Sequence, residues 1–293
     1  MEIRNITTFM RVAELNSFSK AAEQLGYSQS AVTVQIRQLE QELNTRLFER
    51  IGKHIRLTED GAQFVSRALD ILNAVDAAKT ISHKQESPSG TLRIGTAESL
   101  LISVLPPIIM EFRKKCPLVE ISIQTGKIGE LFDMVKQNDV DLLFFLDKKT
   151  NFPEWTKVFE HLEPVVFAAS SKHPLTKCRN ISLEKIFEEP FLLTEKGISY
   201  RYDLEQMAAA ANMEIHSFLE TGNTEVITKL LLQNAGISYL PEYTIRDHLK
   251  ANRLAILDVA CPKLQMWSQL VYHRNKWVTP QMKLFIEIMK NKM

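Results

Sequence analysis

Apolar residues near the N-terminus recur at helical spacing. Ile3, Ile6, Phe9, Met10 and Ala13 mark a helix over residues 3–15, which Asn16-Ser17 interrupts. Ala21, Ala22 and Leu25 define a shorter helix over 18–25, and Gly26 suits the left-handed residue that closes it. Ser28 is placed to cap a third helix that runs to about Leu43. Its apolar stripe is Val32, Ile36, Leu39 and Leu43, spaced i, i+4, i+7, i+11. Residues 48–51 and 54–57 look extended around Gly52-Lys53, a turn signal, and predict a small β-wing. Thr58 can cap a further helix with Glu59 and Asp60 in its first turn, where the helix dipole favours acids. Along it Phe64, Ala68, Ile71, Val75 and Ala78 recur at spacings 4-3-4-3, the seam of a coiled coil, so self-pairing is expected, with packing on its own domain as the alternative. The pattern ends at Glu86-Ser87-Pro88-Ser89-Gly90, a breaker cluster.

Beyond residue 90 the periodicity alternates. Strands are expected at 91–95, 119–124, 141–146, 165–169, 190–194, 214–220 and 236–240. Helices are expected at 101–115, 129–137, near 200–211 and from 223 to 234. The unbroken apolar runs LLFFL and VVFAA suit parallel strands covered on both faces, which predicts an α/β architecture with parallel sheets.

At 100° per residue the third helix turns Ser30, Thr33, Val34, Arg37 and Gln41 away from its apolar stripe, with Gln29 at the edge. Small polar groups, a branched apolar group and an arginine on a helix held by one stripe suit the DNA major groove. There Gln pairs with adenine, Arg with guanine, and methyl groups touch thymine. A plain solvated face has the same polarity. The wing adds Arg50, Lys53 and Arg56.

Charge bounds this reading. The 293 residues carry a net charge of +1, and residues 1–87 hold 11 basic and 11 acidic side chains. Residues 28–58 alone are net +2. Few phosphate contacts per chain imply weak binding by a monomer, so a dimer is expected.

Other chemistry is sparse. Three cysteines (Cys116, Cys178, Cys261) lie far apart with no CxxC, which argues against a disulfide framework or zinc site. The seven histidines never fall three to five residues apart, so no metal ligand set and no cofactor is expected. GxSxG, GxxxxGK[ST] and HExxH are all absent, which argues against an enzyme. No apolar run approaches ~18 residues and the N-terminus lacks a signal peptide's apolar centre, so a cytoplasmic protein without a membrane partner is expected.

The stretches FMRVAELNSFSKAAEQLGYSQSAVTVQIRQLEQELNTRLFER and RLTEDG resemble the winged helix-turn-helix of LysR-type transcriptional regulators. TLRIGTAES, DLLFFL, GISYR, TGN and AGISYLP resemble the rest of that family more loosely in position and order, so the likeness covers the whole chain. It implies an N-terminal all-α winged helix-turn-helix over 1–58 and a linker and dimerisation helix over 59–86. A C-terminal α/β effector domain over 87–293 would follow, similar to periplasmic solute-binding proteins. Its two subdomains would be about 91–161 with 267–293, and about 162–266, with crossings near His161–Glu163 and Met266–Ser268. The family pairs into homodimers and often tetramers, and binds promoter DNA and a small-molecule effector.

The resemblance further implies that Gln29, Ser30 and Thr33 read bases with Arg37 nearby. Arg50 and Lys53 would face the backbone or minor groove, and Ser17, Ser19 and Ser28 would contact phosphates. Two positions depart from the family's pattern. Ser30 stands where proline is common, and Val34 where a basic or polar residue is frequent, so Val34 exchanges a charged contact for a possible thymine-methyl contact.

Ligands of open α/β sheets bind beyond the carboxyl ends of strands, near helix N-termini. The strand exits here carry Thr96, Ser99, Thr125, Thr194, Ser199, Asn223 and Thr224, all expected at the effector site, with Arg201 as a source of positive charge. Ser99, Asn223 and Thr224 read equally as plain helix caps, Thr194 as a loop cap, and Arg201 as a surface residue of a helix that starts near Ser199. Glu98 lies in the same mouth and can select an amine, which leaves an amino acid as open as a dicarboxylate. The reading is a ligand-responsive transcriptional regulator; the alternative is a cytoplasmic metabolite-binding protein without DNA function.

Overall fold

Local capping sets the N-terminal elements. The structure is a computed structural model that describes residues 1–51, 54–82 and 88–293. Helix α1 (Ile3–Leu15) stops at Asn16, which is left-handed at φ 46°. Helix α2 (Phe18–Leu25) begins where the Ser17 hydroxyl accepts the Lys20 N–H at 3.2 Å, and ends at Gly26 with φ 68°. That backbone strains any residue with a Cβ, which explains the glycine. Helix α3 (Gln29–Leu43) is capped by Ser28, whose hydroxyl accepts the Ala31 N–H at 3.2 Å.

Strands β1 (Phe48–Ile51) and β2 (His54–Leu57) pair antiparallel, with Phe48 opposite Leu57. Gly52 and Lys53, the expected turn, lie outside the described residues. The hairpin is anchored from α3, where Glu40 accepts the Leu47 and Phe48 N–H groups at 2.8 and 3.2 Å. Helix α4 (Glu59–Ser82) follows, with the Thr58 hydroxyl accepting the Gly61 N–H at 2.9 Å. A Cβ at Gly61 would lie 2.1 Å from the Leu47 carbonyl oxygen, so only glycine lets α4 approach the wing this closely.

The core of this unit joins Phe9, Met10, Phe18, Val32, Ile36 and Leu39 to Val65, Ala68 and Leu72 of α4. The Phe9 ring sits 5.3 Å from Phe48 and 5.0 Å from Phe64. This corrects the expected seam of α4 at its beginning. Ala68 is fully buried within its own chain, so its surface is already covered, and Phe64 packs on the same core with part of its surface still exposed. Leu69, Ile71 and Val75 stay half-buried, and Ala78 is exposed.

The remaining elements are β3 (Ser89–Thr96), α5 (Glu98–Ser103), α6 (Leu105–Lys115), β4 (Leu118–Thr125), α7 (Ile128–Lys136), β5 (Leu142–Asp147), β6 (Trp155–Ser170), α8 (Leu183–Phe187), β7 (Phe191–Leu193), α9 (Ser199–Ala210), β8 (Ser217–Glu220), α10 (Thr224–Leu232), β9 (Ile237–Pro241), α11 (Arg246–Lys250), β10 (Leu254–Ile256), β11 (Gln265–His273) and α12 (Pro280–Lys292). The strands run β4-β3-β5-β11-β6-β9-β7-β8, with β10 also on β6. Each end is parallel: β3 with β4 and β5, and β7 with β8 and β9. The middle is antiparallel. β11 pairs with β5 and with Trp155–Pro164 of β6, whereas Val165–Ala169 of β6 pair with β9. β6 therefore passes from one parallel end to the other, with a separate apolar core at each end.

Three expectations change. The run at 165–169 is antiparallel to its neighbours; burial on both faces makes it apolar, whichever way the strand points. The single helix expected at 101–115 is two, α5 and α6, parted at Val104. Pro106 and Pro107 lack an N–H, so a continuous helix through them would lose its backbone bonds. The strand expected at 214–220 is shortened to Ser217–Glu220 at the sheet edge.

Candidate functional site

Two places carry the predicted site residues. The first is the outward flank of α3. Val32, Ile36 and Leu39 are buried, so the opposite side faces solvent. Gln29, Ser30 and Arg37 are exposed, Thr33 is half-exposed, and Val34 exposes 51% of its surface. Ser19 of α2 donates to the Gln29 side-chain oxygen Oε1 at 3.1 Å and orients that amide from the neighbouring helix. The Thr33 hydroxyl donates to the Gln29 backbone carbonyl at 2.9 Å. Ser28 and Ser30 share a hydroxyl contact at 2.9 Å. Ser17 and Ser28 both act as helix caps. Arg50 lies on β1, but its side chain is outside the described residues, as is Lys53.

The second place is a cavity of about 500 Å³ between the two parallel ends of the sheet. That volume suits a small metabolite. Ser99, Thr125, Ser199 and Thr224 line it, together with Glu98, Lys127, Glu130, Glu195, Lys196 and the apolar Ile128, Leu131, Leu146 and Ile198. The four hydroxyls reach it because each lies where a strand hands over to a helix. Asn223 acts indirectly: it caps α10 and its amide donates to Glu98 at 2.7 Å from the opposite wall.

The other expected residues stand elsewhere. Thr96 is fully buried and does not line the cavity. Thr194 is buried too, and its backbone carbonyl accepts from Arg201 at 3.2 Å. Arg201 is the largest correction. It is 6% exposed and absent from the lining, and its guanidinium also bonds Glu205 at 2.9 Å and pairs with Glu220 at 3.8 Å. A guanidinium left unpaired in that position would be costly, so these carboxylates claim it before any ligand.

Polar contacts join the walls of the cavity. Lys127 pairs with Glu195 at 2.9 Å and Lys148 with Asp203 at 2.8 Å. The hydroxyls of Ser99 and Tyr243 meet at 2.9 Å, and Ser199 donates to Asp147. The Glu195 carboxylate holds the Lys127 ammonium above its ordinary pKa. Burial pushes the Tyr243 hydroxyl well up, so it stays a neutral donor or acceptor.

Sequence reasoning missed two buried polar groups. At the crossover, Glu163 is fully buried and accepts from Ser268 at 2.9 Å, with His161 Nδ1 at 3.1 Å. Between α1 and the sheet, Glu14 accepts the Trp277 N–H at 3.0 Å and Asn138 Nδ2 at 3.4 Å, while Arg11 pairs with it at 2.8 Å. Next to it Lys276, 4% exposed, pairs with Asp141 at 2.8 Å and donates to Asn138. Asp141 is also held by Arg93 at 2.7 Å. No sequence spacing announces partners 124 to 263 residues apart. Only the left-handed Asn138, at φ 57°, was marked by its residue type as a turn. Among the described residues no group of three or more His, Cys, Asp or Glu could hold a metal ion, and no helix is long and apolar enough to cross a membrane.

Comparison with known proteins matches this geometry. A family described as "Bacterial regulatory helix-turn-helix protein, lysR family" matches residues 3–62, and one described as "LysR substrate binding domain" matches residues 85–293. The chain is 34% identical to the uncharacterized HTH-type transcriptional regulator YwqM of Bacillus subtilis, over 98% of each chain. It is 30% identical to the HTH-type transcriptional activator CmpR of Synechocystis, over 97% of this chain and 93% of that one. Among solved structures, a full-length OxyR from Pseudomonas aeruginosa gives a TM-score of 0.61 at 18% identity, covering 99% of this chain and 95% of that one. Full-length BenM gives 0.56 at 23% identity, covering 99% and 96%. At those identities the structural likeness speaks for the fold. The two family matches and the whole-length relatives go further: the chain belongs to the LysR family of DNA-binding transcriptional regulators, with a helix-turn-helix at its N-terminus and a substrate-binding domain behind it.

Proposed function

We propose that this regulator reads promoter DNA with the outer flank of α3 and responds to a small metabolite, a carboxylate or an amino acid, held in the cavity between the sheet ends. The observation that carries the reading is the exposed row Gln29, Ser30, Val34 and Arg37 on a helix whose other side is sealed in the core. Gln29 and Arg37 have donors suited to adenine and guanine, while Val34 and the Thr33 methyl suit thymine. Residues 1–58 form the DNA-reading part, 59–86 the linker and 87–293 the effector part, divided at the β6 and β11 crossover. The chain acts as a switch without catalysing a reaction, and works in the cytoplasm, where its DNA is.

The functional test is duplex binding by the full chain, followed by fluorescence anisotropy across a salt series. Binding to random duplex should weaken steeply as salt rises, and a duplex from beside its own gene should bind about 10³-fold or more tighter. Equal affinity for both duplexes at every salt concentration would reject the reading.

Self-association belongs to the proposal. One chain offers few phosphate contacts, and a homodimer, paired again into a tetramer, doubles them. Among the described side chains of α4, Val75 and Ala78 lie outside that core and Ile71 is at its edge, and we assign this distal stretch to the partner helix. Val75→Asp should lower the sedimenting mass in analytical ultracentrifugation by half or more while leaving far-UV circular dichroism intact. An unchanged mass would place the dimer contact elsewhere.

A further inference from the structure

We propose that the effector is a zwitterion, an amino acid with an uncharged side chain, and that it enters the cavity by exchanging for the Lys127–Glu195 ion pair. This rests on reading the cavity as the effector site. The pair spans the cavity, with Lys127 capping α7 on one wall and Glu195 following β7 on the other, at 2.9 Å. The Lys127 side chain is 65% exposed and Glu195 32%. Ion pairs that solvent reaches contribute little, so a ligand can part them at small cost.

What replaces them must balance the charge. The lining holds three carboxylates, Glu98, Glu130 and Glu195, against two ammonium groups, Lys127 and Lys196. Arg201, the guanidinium expected to receive a carboxylate, is claimed by Glu205, Glu220 and the Thr194 carbonyl. A dicarboxylate would therefore bring two negative charges into a lining that is already net negative. An amine alone would leave Lys127 without its partner. A zwitterion does neither: its carboxylate takes Lys127, its ammonium takes Glu195, and the total charge is unchanged.

Glu98 extends the ammonium site. Asn223 holds one of its oxygens at 2.7 Å from the opposite wall, which fixes the carboxylate while leaving the other oxygen free to accept. Glu130 is the least available of the three, since it accepts the Lys127 backbone N–H at 2.9 Å to complete the start of α7. Gly222 gives Glu195 its room: a Cβ there would stand 3.3 Å from the carboxylate. Ile128, Leu131, Leu146 and Ile198 cover the rest of the space and suit an apolar or neutral side chain. Because the two charges grip opposite walls, such a ligand bridges the walls in place of the ion pair. That gives it the differential affinity for one wall arrangement that a switch needs.

The test uses the full chain in a thermal-shift screen and isothermal titration calorimetry. The probes are the twenty common amino acids, then the deaminated acid and the decarboxylated amine of the best binder, with succinate and 2-oxoglutarate as dicarboxylates. At least one uncharged-side-chain amino acid should bind, and each of its one-charge counterparts should bind tenfold or more weakly. Glu195→Gln should abolish the preference for the amino acid over its deaminated form, and Lys127→Gln the preference over its amine. A dicarboxylate or an uncharged molecule binding in place of any amino acid would overturn the zwitterion assignment and leave metabolite sensing standing. An amino acid that binds both variants as it binds the wild type would overturn the exchange. Failure of every acid, amine and amino acid would overturn the assignment, and absence of any binder in a broad metabolite screen would remove the sensing reading with it.

Discussion

Replacing Phe9 with alanine should destabilise the N-terminal unit by about 3–5 kcal/mol, the range for deleting a fully buried aromatic ring. Phe9 has no exposed surface, and its ring packs against Phe48 of the wing and Phe64 of α4. Phe48 in turn meets Phe18 at 5.7 Å, so a chain of four rings with Phe9 at its centre ties α1, α2, the wing and α4 together. A cavity there cannot collapse cheaply, because its walls belong to separate elements that are held by other contacts as well. Urea unfolding should show the early loss of one transition's worth of helical signal, and duplex binding should fail at the same urea concentration. Val34→Ala, on the exposed flank, should leave that midpoint unchanged. Equal midpoints for Phe9→Ala and wild type would show that these rings do not hold the unit together.

The second large effect concerns the buried charges beside α1. Burial alone would raise the Asp141 pKa, but the cations Lys276 and Arg93 together hold it down to about 2. A carboxyl depressed in the fold stabilises it above the unfolded-state pKa, near 4, and loses that contribution as pH falls from there towards 2. The depression corresponds to roughly 2 kcal/mol of stability at neutral pH. Asp141→Asn should cost more, about 3–5 kcal/mol, because it leaves the Lys276 ammonium buried with less compensating charge. The same variant should flatten the acid limb: between pH 6 and pH 3, the wild-type urea midpoint should fall further than that of the variant. Parallel midpoints over that range would mean that Asp141 is not held by these cations. Because Lys276 and Trp277 also meet Asn138 and Glu14, the variant should loosen the contact between α1 and the sheet as well.

Local rules explain why so much was readable. The boundaries of α1, α2 and α3 follow from caps and left-handed residues, all of them decided within about five residues. The alternation of strands and helices behind them follows from period alone. What periodicity does not carry is the identity of the covering surface. The stripe of α4 was legible, but that Phe64 meets Phe9 and Ala68 is buried in the same core depends on how a helix turns back on its own unit. Strand direction at 165–169 was hidden for a related reason, since an apolar run reports burial on two faces. The break between α5 and α6 was available in Pro106-Pro107 and went unused.

The cavity shows the same division. Its hydroxyls were legible because strand-to-helix exits gather at one edge of such sheets. Arg201 was misplaced because the direction of a long side chain is set by distant partners. Glu205, four residues on, hinted at a pair along the helix, but Glu220 comes from another strand. Glu14, Asn138 and Lys276 meet only through tertiary folding, so nothing local could join them.

The central claim is that the outer flank of α3 meets nucleobases. Its most direct test is selection of binding sites from a random duplex pool by the wild-type chain and by Gln29→Ala and Thr33→Ala. Each variant should lose preference at one or two base pairs of the half-site, each worth about 1–3 kcal/mol, while its affinity for random duplex stays level. Recovery of one and the same selected sequence, with undiminished preference, by all three proteins would contradict the claim.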